Sequence, residues 1–158
     1  MRHSRLKLPF ALLSAGILAL SACESATEPE EDHAEEVEGV NLILSGQTIA
    51  SYDGHDGEWT GELEVEPGEE TAHITVQFVD HDGMAVHLDD DFYLEVEVED
   101  ESIAEFEQDT PGEFGGHLHG GAEGDTEIVF KLMHGSVGSG HADFVTEPLH
   151  IHVHEEDH

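Results

Sequence analysis

The chain has 158 residues and a formal net charge of −34, with 38 Asp and Glu against 4 Lys and Arg, and it holds a single cysteine. Such an acidic surface repels phosphate, which excludes nucleic acid and anionic lipid as electrostatic partners and leaves cations as the attracted class. One cysteine rules out a disulfide within the chain, so stability has to come from packing, strand pairing or metal.

The amino terminus reads as an export signal. Arg2, Arg5 and Lys7 give a positive start, Leu8 to Leu20 is an apolar run, and small residues precede Cys23, the order of a secretory signal peptide. The apolar run is too short to span a bilayer. Leu20-Ser21-Ala22-Cys23 resembles the bacterial lipobox. That resemblance implies a lipoprotein signal peptide over residues 1–22, cleavage before Cys23, a lipid on its sulfur, and a membrane as partner through that anchor. Two or more acyl chains hold a domain stably, at about 0.8 kcal/mol per buried methylene. Glu24 in place of Asp after the cysteine resembles outer-membrane sorting in Gram-negative lipoproteins. The expected location is the bacterial cell envelope, on the outer membrane, facing the periplasm or the surface.

Residues 23–39 follow as an acidic tether, rich in carboxylates and nearly empty of core-forming side chains. Like charges keep it disordered and extended. Every acidic residue lies after Cys23, where Lys131 is the only Lys or Arg. A solvated surface, suited also to a saline habitat in which counterions screen the repulsion, accounts for that excess.

From Val40 the apolar period changes to two, and residues 40–158 read as one domain. Ile74, Val76 and Phe78 fall on one face of Thr71–Val79, with His73, Thr75 and Gln77 on the other. Leu94, Val96 and Val98 alternate with Glu95, Glu97 and Glu99 in Phe92–Glu99. Further strands are predicted at Val40–Leu44, Glu62–Val65, Ile103–Phe106, Thr126–Met133, Ala142–Thr146 and Leu149–Val153. Turn residues separate them at Asp53 to Gly57, Pro67-Gly68, Asp82-Gly83, Pro111-Gly112, Gly120-Gly121 and Gly138 to Gly140. The pattern predicts an all-β fold, an antiparallel β-sandwich of about 8–10 strands.

The order Ile74-Thr-Val-Gln-Phe-Val-Asp-His-Asp-Gly83, then Leu94 to Ala104, Gly121 to Val129 and Ile151-His-Val153 resembles a bacterial immunoglobulin-like domain. The resemblance covers about residues 71–154 and implies an immunoglobulin-like sandwich, with residues 40–66 adding one or more strands. It says little about function, because such sandwiches host many roles.

Chemistry concentrates in the histidines. Half of the chain's 14, namely His117, His119, His134, His141, His150, His152 and His154, fall between residues 117 and 154. Residues two apart in a strand share a face, so His117 and His119 point together while Leu118 turns inward. His134 and His141 close and open two strands across a glycine-serine loop, which predicts that they meet, with Asp143 or Glu123 nearby. Should the His117/His119 strand end beside them, four imidazoles converge on one divalent ion. A neutral imidazole nitrogen suits zinc or copper, and carboxylates complete the shell. His150, His152 and His154 stand in a row on one face and form a second, weaker and exchangeable set. His55, His73, His81 and His87 read as surface or turn residues.

Other readings compete with this one. His117-x-His119, His134, His141 and His150 follow the order of metal ligands in Cu/Zn superoxide dismutases and resemble that family in spacing. This chain departs from the family: after Cys23 it has no cysteine for the disulfide and no Arg to guide superoxide, Val153 stands where the zinc-ligand Asp would follow His150, and a strand is predicted where the family has a long metal loop. Asp80-His-Asp-Gly83 and Asp89 to Asp91 offer oxygen ligands for calcium, although an Asp-Gly turn explains the first. No nucleophile elbow or phosphate-cradling glycine loop is present. The sequence thus points to a non-catalytic, metal-binding envelope domain, with an immunoglobulin-like spacer or adhesion module as the other class.

Overall fold

Alternation of apolar and polar side chains sets which face of a strand is buried, and the chain forms eleven strands among the described residues. The structure is a computed structural model that describes residues 36–155. The signal peptide at 1–22, the lipidation site Cys23 and most of the tether lie outside the described residues. The last residues assigned to the tether already belong to the fold. Val37 packs against the core and Glu38 N donates to Val79 O at 2.8 Å.

The strands are β1 (Gly39–Leu44), β2 (Gln47–Asp53), β3 (Glu58–Thr60), β4 (Leu63–Val65), β5 (Ile74–Val79), β6 (Phe92–Val98), β7 (Ala104–Glu107), β8 (Gly115–Gly120), β9 (Gly124–His134), β10 (His141–Val145) and β11 (Leu149–Val153). A first sheet runs β3-β2-β1-β5-β8-β7. In the second, β9 pairs with β6 along one side and with β10 and then β11 along the other, and β4 lies beyond β11.

Two features differ from the expectation. The number of strands exceeds the predicted range because residues 40–66 supply four, with β1 placed inside the first sheet between β2 and β5. Ser45 and Gly46, at φ 52° and 80°, make the tight β1–β2 turn that suits a twisted hairpin. The sandwich is also not wholly antiparallel, since β4 runs parallel to β11 with Leu63 opposite Ile151. The chain leaves the first sheet after β3 through Gly61, at φ 94°, where a Cβ would lie 2.3 Å from Ile49 O. A strand that crosses between sheets takes its direction from that crossing, and its own alternation carries no record of its neighbour's direction.

The inward faces form one core. Val40, Leu42, Ile74, Val76, Phe78 and Leu118 of the first sheet meet Leu94, Ile128, Phe130, Leu132, Leu149 and Ile151 of the second. Each such side chain contributes roughly 1.5–3 kcal/mol by leaving water. Phe130, fully buried in β9, lies 5.9 Å from Trp59 and 6.0 Å from Phe106, so one ring joins both sheets. Buried Thr126 and Thr146 accept from Asp100 N and Phe130 N at 3.0 and 3.1 Å. No buried side-chain polar atom among the described residues lacks a partner.

Candidate functional site

The β9–β10 hairpin carries a histidine pair across its ladder. In β9, Phe130 and Leu132 point into the core, and His134 comes next on that face. At His134 the core has ended, and the ring sits at the rim of the sandwich, stacked 4.6 Å from Phe92, its partner in β6. His141 faces it directly from β10, with ring centroids 5.4 Å apart. The ladder then shifts between Ala142 and Phe144, and the extra residue is Asp143. Such a bulge re-aims a side chain. The Asp143 carboxylate lies 3.5 Å from His134 Nδ1 and 3.0 Å from His141 Nε2.

These three ligand atoms lie within 4.8 Å of one another. Bonds of about 2.0–2.1 Å to a tetrahedral zinc put its ligands roughly 3.3 Å apart, so small side-chain rotations suffice. His141 is 73% exposed, which leaves the remaining coordination position to water or an incoming group. Gly140 shapes the approach: its N donates to Tyr93 Oη at 3.2 Å, and a Cβ there would lie 2.6 Å from His134 O.

His117 and His119 lie elsewhere. Fully buried Leu118 fixes the face of β8, so its two neighbours point outward from the first sheet, while His134 and His141 belong to the second. The four predicted ligands therefore fall into two separate pairs. Their separation follows from pairing, since β8 lies between β5 and β7 and shares no ladder with the β9–β10 hairpin. Glu70, bridged to His119 in the backbone, sets its carboxylate 3.3 Å from His117 Nδ1 and 3.5 Å from His119 Nδ1. Beyond the rings, Asp109 lies 3.7 Å from His117 Nε2 and Glu107 lies 3.3 Å from His119 Nε2. His117 Nδ1 donates to Thr71 O at 3.0 Å. That bond is the main reason its pKa is raised, with Asp109 and Glu70 adding to it and burial opposing.

His73, read from sequence as a plain surface residue, stands beside this pair. Its ring is 5.3 Å from that of His117, and its Nε2 is 3.6 Å from Glu113 Oε1. His73, Asp109 and Glu113 form the second set of converging ligand atoms among the described residues. The available signal was Gly115-Gly116: a Cβ on Gly115 would lie 2.4 Å from His73 Cε1.

The β11 row keeps its predicted face, with Leu149, Ile151 and Val153 buried and His150, His152 and His154 turned outward. His150 and His152 stack 6.3 Å apart. Glu127 faces His150 at 3.5 Å, and His152 sits between Asp125 and Glu62. The hydrogen bond to Asp125 is the largest cause of the raised pKa of His152. The row forms no converging set of three, nor do Asp89, Asp90 and Asp91. Asp80 Oδ1 accepts from Asp82 N and Met84 N, both at 2.9 Å, and so caps its own turn. After β8, β9 begins at Gly124 without the long intervening loop of the superoxide dismutase pattern.

No family model matches the sequence, and no curated protein does. Among solved structures, domains 4 and 5 of the S-layer protein SbsC are similar at 17% identity and a TM-score of 0.44. The similarity covers 61% of this chain and 49% of that one, so the chain spans about half the length of its structural neighbour.

Proposed function

We propose that this protein is a lipid-anchored, immunoglobulin-like module of the bacterial cell envelope that binds a divalent transition metal, zinc or copper, and buffers it without catalysing a reaction. The observation that carries the reading is the rim triad, where two cross-strand imidazoles and the bulged Asp143 present ligand atoms to one point. Two borderline nitrogens and one oxygen suit zinc or copper better than calcium or magnesium. The open side of His141 favours exchange over a closed structural site. An acid-rich surface adds to this by raising the local cation concentration. Cys23 supplies the anchor, and the acidic residues after it lift the domain from the lipid.

Calorimetric titration of the full-length protein in detergent with ZnCl2 and CuCl2 tests the binding. Micromolar or tighter affinity, lost in His134→Ala/His141→Ala, supports it. Millimolar affinity unchanged by that variant leaves the spacer or adhesion reading in its place. Protons compete for the imidazoles, so the bound ion should leave as pH falls below about 6. The anchor has its own test: Cys23→Ala should move the protein from the membrane fraction to the soluble one.

A further inference from the structure

We infer that the molecule carries a second, independent transition-metal site on the outer face of the first sheet, formed by His73, His117, Asp109 and Glu113. It rests on the reading that imidazole and carboxylate groups of this fold take such ions, yet it uses no residue of the rim triad.

The two rings are placed by backbone that leaves them little choice. His73 precedes β5 on the outward side, and its ring lies over Gly115, where a Cβ would meet Cε1 at 2.4 Å and Nε2 at 2.9 Å. Only glycine permits that placement. His117 follows two residues later in β8 on the same face, edge-on to His73. Its Nδ1 proton is committed to Thr71 O, which leaves the Nε2 lone pair facing Asp109 Oδ2 at 3.7 Å. A carbonyl on one ring nitrogen and the ion on the other is the arrangement of metal-bound imidazoles, because it fixes tautomer and ring orientation together.

Both carboxylates sit on the β7–β8 loop, which is braced before any ion arrives. The Gln108 side-chain amide donates to Leu94 O at 3.2 Å and to Glu113 O at 2.7 Å. Asp109 N donates to Glu113 Oε1 at 2.9 Å, the oxygen that faces His73 Nε2 at 3.6 Å. Separations of 3.6 and 3.7 Å are close to the roughly 3.3 Å between ligands of a tetrahedral zinc. Lys131, the only Lys or Arg among the described residues, is in the second sheet and occupied by Glu95 and Glu97, so no fixed cation neutralises these acids. His73, Asp109 and Glu113 present ligand atoms within 4.8 Å of one another, and the ring of His117, edge-on to His73 and facing Asp109, stands beside them as the fourth group.

Zinc titration of the full-length protein in detergent should then show two equivalents. His73→Ala/Asp109→Asn should remove one and His134→Ala/His141→Ala the other. In wild-type protein labelled at histidine, the ring signals of His73 and His117 should shift with one equivalent, and those of His134 and His141 with the other. Two equivalents retained by His73→Ala/Asp109→Asn, or His73 and His117 signals unmoved at saturating zinc, would overturn the second site and leave the rim reading standing. Loss of one ion in His73→Ala/Asp109→Asn, with no effect of the rim substitutions, would sink the rim reading and uphold the second site.

Discussion

The pair His117/His119 and the pair His134/His141 are built from the same residue type and end in different chemistry. Residues two apart on one strand are about 6.5–7 Å apart, twice the ligand spacing around a tetrahedral ion. His117 and His119 accordingly reach outward to different acids, Asp109 and Glu107, and share only Glu70 on their inner nitrogens. His134 and His141 face each other across a ladder, and both reach the single carboxylate of Asp143. Convergence comes from pairing between strands. Sequence proximity supplies only a shared face. His117 finds its neighbouring ring in His73, which lies far along the chain and reaches it through the β5–β8 pairing.

The largest effect should come from removing what both regions stand on. Phe130→Ala takes away the ring that joins the sheets and should cost about 3–5 kcal/mol, read as a lower urea midpoint, with zinc binding weakened at both proposed sites together. Next, Asp143→Asn should weaken zinc at the rim roughly 10- to 100-fold, by analogy with the loss of carboxylates that orient metal-bound histidines. Under the same titration His119→Ala should leave stoichiometry and affinity unchanged, and equal effects of the two variants would erase the contrast between the pairs.

The smallest effect is a pH dependence measured in chelator. Asp125 raises the pKa of His152, and the bond to Thr71 O raises that of His117. A folded-state value above the unfolded one, about 6.5, stabilises fully below that pH and fades as pH rises through the folded value. The urea midpoint should fall across that window in wild type, and Asp125→Asn should flatten the slope.

Much of the scaffold was legible because period-two alternation is strong where large apolar residues carry it. Ile74-Val76-Phe78, Leu94-Val96-Val98 and Leu149-Ile151-Val153 all face the core as read. β2 and β3 escaped notice because their inward residues are Ala50, Tyr52 and Trp59, a weak pattern in short segments among glycines and acids. At the rim, the short loop between His134 and His141 announced that the two would meet. The division of the four histidines between two sheets was not readable, because alternation assigns a face within a strand but not the strand's neighbours. His73 was missed for the same reason, its partners arriving from β8 and the β7–β8 loop.

Lys131 stands in the middle of β9, held by Glu95 at 3.2 Å and Glu97 at 2.7 Å, with backbone partners in both β6 and β10. After Lys7 the sequence offers trypsin no other address, and cleavage there requires the central strand of the second sheet to leave its ladders. A tryptic digest under native conditions should therefore return the domain whole. After denaturation it should be cut only once, which makes an acid-directed protease the practical choice for mapping this protein by mass spectrometry.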